Sequence, residues 1–404
     1  MKKFFFAVLC LCLTGCGTFN FNVKVVQPTA QTLPTAIASP TAQGIPTATA
    51  FVPLPTTTRA PTQPFSLANI QMTDPSHGWA VDALGDIVTT SSSGSIWVNV
   101  TPSEETFDHH SLFAWNDRVA WVASSQLQIS HVVWRTLDGG DNWKASQPIP
   151  LGAGTYTPLR LQFPDINNGW MLLLAENEGQ SSQLLLYTSK NGGQDWAQIN
   201  TISTGMALSY LPITSTNLAF FDGERGWLGG DWAQGEWLML KTGDGGKIWG
   251  TDAFRLPTQQ KGVTCDGQPV AEMEPGSMAV DVTCTKEKDA KYLFHHIYYL
   301  SKKTGPTWQS WAIPGKLLSM DFLNIHQGWM LVGSDDPQSN KILSTRDGGE
   351  TWKTLSKVAW KQAQLDFVTD KIGWAIVENG FGPVLFRTED SGKTWIQVRP
   401  SLQP

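Results

Sequence analysis

Apolar and polar residues alternate along most of this chain with a period of two, in short runs closed by Gly, Asp or Asn. Leu365-Asp-Phe367-Val-Thr-Asp370 is one such run and Val384-Leu-Phe386-Arg-Thr388 is another; between them stands Gly373-Trp374, followed by apolar residues. Alternation of this kind sends successive side chains to opposite faces of a half-buried strand, and the polar clusters supply the turns. From residue 66 onward the pattern recurs unit after unit and predicts four short strands in each. No segment of useful length carries a helical period.

The unit is marked by tryptophan. Trp97, Trp143, Trp196, Trp249, Trp308, Trp352 and Trp395 follow one another at spacings of 46, 53, 53, 59, 44 and 43 residues. Each is preceded by a Ser or Thr seven positions back, an Asp-like residue five back and a Gly three back. Thr136-Leu-Asp138-Gly-Gly140-Asp-Asn-Trp143 is a full copy, and Asp244, Asp347 and Asp390 hold the same place before Trp249, Trp352 and Trp395. Asn191 replaces Asp before Trp196, Ser92 stands there in the first copy, and Lys303 in a degenerate fifth. A second marker, Gly-Trp, opens an apolar run at Gly78, Gly169, Gly226, Gly328 and Gly373, with Ala120-Trp121 in the second unit and Ala279-Val280 in the fifth. Four strands in about 45 residues make a propeller blade. The prediction is an all-β chain with a single seven-bladed β-propeller of four-stranded antiparallel blades over residues 66–404.

The Ser/Thr-x-Asp-x-Gly-x-x-Trp spacing resembles the Asp box, or BNR repeat, of sialidases and many other propellers. The resemblance implies a structural role for Asp138, Asn191, Asp244, Asp347 and Asp390: each accepts backbone N–H bonds within its own turn. Divergent rim turns do not converge as catalytic or metal-binding groups must. Gly-Trp combined with Thr-x-Asp-Gly-Gly-x-Thr-Trp is similar to the propeller family of the photosystem II assembly and stability factor, exported seven-bladed propellers that bind membrane-protein subunits. That family carries a basic binding patch, whereas nine arginines are spread over this whole chain. The likeness is one of scaffold, and scaffold alone does not carry function.

The N-terminus changes the setting. Lys2 and Lys3 precede an apolar stretch, Phe4 to Leu13, too short to span a bilayer. Leu13-Thr14-Gly15-Cys16 resembles the bacterial lipobox, which implies removal of a signal peptide at 1–15 and lipidation of Cys16. Residues 16–65 then form a tether, with Pro-Thr at Pro28, Pro34, Pro40, Pro46, Pro55 and Pro61 and a composition that cannot build a core. Extended at ~3.1 Å per residue, it reaches on the order of 100 Å. The expected location is the cell envelope, on the outer face of the cytoplasmic membrane or at the outer membrane. Once the signal and the lipidated residue are set aside, Cys265 and Cys284 are the cysteines of the folded part, and an oxidising compartment favours joining them.

Charge narrows the partners. The net charge is −6 and adjacent basic residues occur only as the pairs Lys2-Lys3 and Lys302-Lys303, so no basic stripe for nucleic acid is present. Phe254-Arg255-Leu256-Pro257 resembles the Phe-Arg-Ile-Pro motif of sialidases, but it falls between the fourth and fifth units instead of near the start of the propeller, and sialidases have six blades. Xyloglucanase-type glycosidases also carry Asp boxes, yet pair two propellers, and this chain has room for one. The adjacent carboxylates Glu104-Glu105 and Asp335-Asp336 point apart on a strand. His109, His110, His295 and His296 lack further ligands at a suggestive spacing; His77 and His326 belong to the turns before Gly-Trp. No cofactor or metal is expected. The sequence favours a lipid-anchored, extracytoplasmic, non-catalytic binding or assembly scaffold for a membrane protein or envelope component. The alternative is a carbohydrate-active enzyme or a glycan binder. The stretch 257–296, which lacks both markers, is the largest departure from the repeat: the loop around Cys265 to Cys284 reads as an insertion carrying the partner-binding element, and Tyr292 to Tyr299 reads as the third strand of a divergent blade with Leu293, His295, Ile297 and Tyr299 on one face.

Overall fold

The alternating runs form strands. A computed structural model describes residues 65–403 apart from short stretches, the longest being 204–217, 232–238 and 253–262; for much of 263–312 it describes the backbone alone. The signal, Cys16 and the tether lie outside the described residues, as do Glu104-Glu105, His109, His110, Asp335 and Phe254 to Pro257. Among the described residues the structure is nearly all β, with one short 3-10 turn at Pro337–Ser339. No helix there is long and apolar enough to cross a membrane.

Among the described residues, seven sheets of four or five strands succeed one another, and Ser130–His131 and Ile149–Pro150 form a two-stranded pair. The first runs Leu67–Met72, Gly78–Asp82, Ile87–Thr90, Ile96–Asn99, all antiparallel. The seventh runs Gln362–Phe367, Gly373–Glu378, Pro383–Thr388, Ile396–Val398 in the same way. In both, the second strand is buried along most of its length, which is why the Gly-Trp runs are apolar throughout instead of alternating.

The two sequence markers meet in one packing unit. The first strand ends on a large apolar residue that lies over the Gly of Gly-Trp. A Cβ on Gly226 would sit 2.6 Å from the Phe220 ring, and one on Gly328 or Gly373 2.5 Å from Phe322 or Phe367. No side chain fits there. The Trp beside that Gly crosses to the next sheet. Trp121 stacks on Phe163 at 3.9 Å, Trp170 on Phe220 at 4.1 Å and Trp329 on Phe367 at 3.8 Å. In four units the second tryptophan closes edge-on on the Phe that ends the first strand: Trp196 on Phe163, Trp249 on Phe220, Trp352 on Phe322 and Trp395 on Phe367. Such ring pairs add to the burial of the rings themselves.

Each crossing Trp also finds a partner for its N–H. Trp79 Nε1 donates to Asn116 O, Trp121 to Gly192 O, Trp170 to Gly245 O and Trp329 to Ser391 O, always in the following sheet. Trp374, in the seventh sheet, donates to Ser93 O in the first. The C-terminal strand Ser401–Leu402 then pairs in parallel with Ile96–Asn99, so the first sheet receives the end of the chain as its fifth strand.

One expectation is corrected here. Residues 263–286 are not an insertion. Val263–Glu274 and Ser277–Lys286 are the first two full-length strands of the fifth sheet, followed by Lys291–Ser301 and Gly305–Ala312. Val280, Val282 and Cys284 alternate into the core. The misreading arose because this unit reaches the same strands without Gly-Trp: Ser277 and Met278 occupy its place, and Ala279-Val280 lies two residues further along the strand.

Candidate functional site

The turns bearing the Asp-like residues are closed systems. Thr136 Oγ1 accepts from Gly140 N at 3.0 Å and donates to Asp138 at 2.8 Å, and Asp138 accepts from Asn142 N at 2.9 Å. Asp347 and Asp390 repeat this with Thr345, Thr351 and with Thr388, Thr394; Asp244 accepts from Lys247 N and Ile248 N. Asn191 does the same work, accepting from Asp195 N. In the first sheet Ser92 Oγ accepts from Ile96 N. Bonds from Asn142 hold Asp138 below the usual carboxylate range, and bonds from Ile248 and Thr242 do so for Asp244. The left-handed Gly139 (φ 84°) donates its N–H to Arg118 O, tying the turn back to the one between the first two strands; Gly192, Gly245 and Gly348 do likewise. These carboxylates are occupied by their own turns.

His77 and His326 also sit in turns. His77 Nδ1 lies 2.8 Å from Asp74 Oδ2, and His326 N donates to Asn324 Oδ1. Among the described residues no group of His, Cys, Asp and Glu is arranged to hold a metal. Cys265 and Cys284 stand directly opposite each other in the antiparallel register, the backbone relation a disulfide needs, and Cys284 is buried.

A second set of polar groups lies on the first strands, and the sequence reading missed it. The residue opposite the marker Trp is Gln71 in the first sheet, Gln162 in the third, Asp321 in the sixth and Asp366 in the seventh. Each reaches the first strand of the next sheet. Gln71 donates to Leu112 O and accepts from Ala114 N. Gln162 donates to Phe220 O and accepts from Phe220 N. Asp321 Oδ2 accepts from Phe367 N at 2.6 Å, and Asp366 Oδ2 accepts from Met72 N at 2.6 Å. Gln364, two residues earlier, accepts from Ile70 N and donates to Ile70 O. These side chains stitch sheet to sheet, and the last bonds run from the seventh sheet to the first.

The two carboxylates differ electrostatically from the amides they replace. Each retains some accessible surface, yet protein encloses it closely. Burial pushes the Asp321 carboxyl up to about 6, against the N–H groups of Phe367 and Phe322 that favour its charged form. Burial, and then the negative charge of Asp321, hold Asp366 well above the usual range. A protonated Asp can accept and donate as Gln162 does, so the raised pKa fits the position. The signal in sequence was an acid at a place where other units carry Gln. Arg160, on Thr155–Gln162, is exposed.

No family model matches the sequence, and no curated protein does. Solved structures do. A GH74 enzyme from Niastella koreensis is 12% identical with a TM-score of 0.54, covering 83% of this chain and 54% of that one. The GH74 xyloglucanase of Xanthomonas campestris is 11% identical with a TM-score of 0.53, covering 84% and 54%. This chain therefore spans about half the length of those two enzymes. YCF48 bound to a D1 peptide is 15% identical with a TM-score of 0.43, covering 81% and 94%. At these identities the likeness describes the fold: four-stranded antiparallel sheets in a propeller-like succession.

Proposed function

We propose that this chain is a lipid-anchored, extracytoplasmic, seven-bladed β-propeller that holds a protein partner in the cell envelope without catalysis. The observation that carries the ring is the bonding of the seventh sheet to the first, through Trp374, Gln364, Asp366 and the strand Ser401–Leu402. A closed ring with short, protected edges is a rigid platform. Its repeat residues are taken up by turns and packing, which leaves the loops and the surfaces around the ring for recognition. Cys16 at the start of a Pro/Thr tether supplies the membrane attachment in this reading.

A second reading keeps the glycosidase alternative. Asp321 and Asp366 are acids of raised pKa on neighbouring sheets, a feature shared with acid/base pairs. Their bonds to Phe367 N and Met72 N favour a structural role over a catalytic one.

Photo-crosslinking in intact cells separates the two readings. The binding reading expects one envelope protein captured in constant proportion, with no turnover of a panel of fluorogenic glycosides. Glycoside turnover abolished by Asp366→Asn, with no captured protein, overturns it.

A further inference from the structure

Neighbouring sheets are joined along their first strands by side chains that hold backbone. At the seam between the third and fourth sheets, Gln162 takes both backbone groups of Phe220. It accepts from Phe220 N at 2.8 Å and donates to Phe220 O at 3.1 Å. Gln364 of the seventh sheet holds both groups of Ile70 in the first sheet in the same way. An amide can do this because it carries a donor beside an acceptor.

The joints opposite the marker Trp change chemistry on both sides of the seventh sheet. Asp321 and Asp366 stand where Gln162 stands, each opposite its own sheet's Trp. Asp321 accepts from Phe367 N at 2.6 Å, and Asp366 accepts from Met72 N at 2.6 Å. Phe367 and Met72 end their strands opposite the Gly of Gly-Trp, as Phe220 does. In an antiparallel strand the N–H and C=O of one residue point the same way. The carbonyls of Phe367 and Met72 therefore face the same side as the N–H groups that the two carboxyls hold. A carboxylate has no donor for a carbonyl and repels it, whereas a protonated carboxyl has an O–H and completes the pair that Gln162 makes.

We propose that proton-operated latches hold the seventh sheet: protonated Asp321 and Asp366 each donate to the carbonyl of the residue whose N–H they accept, and the seam between the sixth and seventh sheets loosens as pH rises. Among the described residues neither carboxyl has an ion-pair partner. Leu67–Met72 and Gly328–Gly333 carry no titratable residue, and Gly373–Glu378 carries only Glu378 at its far end. Lys316 lies at the far end of Asp321's own strand, and Arg387, over the Trp374 ring, is paired with Glu389. Beside the strand of Asp321, Val263–Glu274 carries Asp266, Glu272 and Glu274 and no base, and Lys291–Ser301 carries Lys291, His295 and His296. The two latches release in order. Burial raises Asp321 to about 6, so its joint is complete in acid and is lost as pH rises through that value. The charge then left on Asp321 adds to burial in keeping Asp366 in its acid form. The seam from the seventh sheet to the first stays fastened, with Gln364, Trp374 and Ser401–Leu402 beside it. The Asp366 latch rests on the closed ring proposed above, whereas the Asp321 latch joins consecutive sheets and does not.

The test is amide exchange of the full-length lipoprotein in detergent at about pH 5 and about pH 7.5, corrected for the intrinsic pH dependence of exchange. Protection of Phe367 N falls about tenfold or more between the two, while Phe220 N, held by Gln162, keeps its protection. Asp321→Asn carries a donor and an acceptor at both pH values, so it keeps Phe367 N protected at both. Infrared difference spectra of the wild type over the same interval show loss of a protonated-carboxyl stretch, a readout that needs no variant to fold. Equal protection of Phe367 N at the two pH values refutes the latch, as does an Asp321→Asn variant with the wild-type pH dependence or a spectrum in which no protonated carboxyl is lost. An open ring is read separately, as a Met72 N unprotected at both pH values.

Discussion

Gly373→Ala isolates the packing unit on which the fold depends. Gly373 begins the second strand of the seventh sheet, directly opposite Phe367. A Cβ there would stand 2.5 Å from one Phe367 ring carbon and 2.7 Å from two others. The ring cannot swing aside. Trp329 stacks on it at 3.8 Å with an interplanar angle of 3°, and Trp395 closes on it at 5.9 Å and 80°. Relief has to come from moving the strand or breaking the stack. Overpacking in a rigid core costs about 1–3 kcal/mol, and loss of an aromatic pair adds about 0.5–1.5 kcal/mol. We expect destabilisation of about 2–4 kcal/mol from these two contributions. For a domain of this size that lowers the unfolding midpoint by several degrees. Gly243→Ala is the matched control, because a Cβ there meets nothing within 4 Å. Differential scanning calorimetry of the two variants decides the matter. If Gly373→Ala melts with the wild type, the Phe–Gly–Trp unit is not the tight element described here.

Other outcomes follow from the same geometry. Asp321 has its pKa raised to about 6 on folding, so its contribution is complete below pH ~3.8 and is lost as pH rises through ~6. The raw shift corresponds to on the order of 3 kcal/mol as an upper figure, so Asp321→Asn should flatten the fall of thermal stability between pH 4 and 7; an unchanged slope contradicts the assignment. Asp347 has the opposite sign, because the Thr351 and Thr345 bonds outweigh burial and lower its pKa, and its contribution is lost as pH falls below ~4. Thr345→Val removes the hydroxyl that accepts from Gly349 N at 2.7 Å and leaves that buried N–H unpaired, at about 1–3 kcal/mol in denaturant unfolding. Cys265 and Cys284 are expected to be joined, so thiol titration of the unfolded, unreduced chain should count no free thiol from this pair. Cys16→Ala should leave the protein unprocessed or released from the membrane in a fractionation assay.

Much of the architecture was legible because each repeat writes its packing into fixed positions. The Gly of Gly-Trp packs under the large apolar residue that ends its own first strand, Met72, Phe163, Phe220, Phe322 or Phe367, and the Trp stacks on the residue that ends the next one, so both positions recur with the repeat. The Asp-like residues were legible for a similar reason, since their bonds are local and the spacing fixes them. The first two strands of the fifth sheet were not, because their register survives without either marker, and Cys265 opposite Cys284 was read as a loop staple instead of a cross-strand pair. The stitching residues were hidden by chemistry: Gln71, Gln162, Asp321 and Asp366 perform one task with two residue types, and the task lies between sheets.

Closure of the ring is the claim on which the proposed platform depends, and amide hydrogen exchange reads it residue by residue. Ile70 N and Met72 N lie on the first strand of the first sheet and are bonded by Gln364 and Asp366 of the seventh. Phe220 N and Phe367 N occupy the same place at interior seams, bonded by Gln162 and Asp321. A closed ring gives Met72 N protection comparable to that of Phe220 N and Phe367 N. Exchange of Met72 N near the unstructured rate, with those two still protected, would show an open arc and contradict the account.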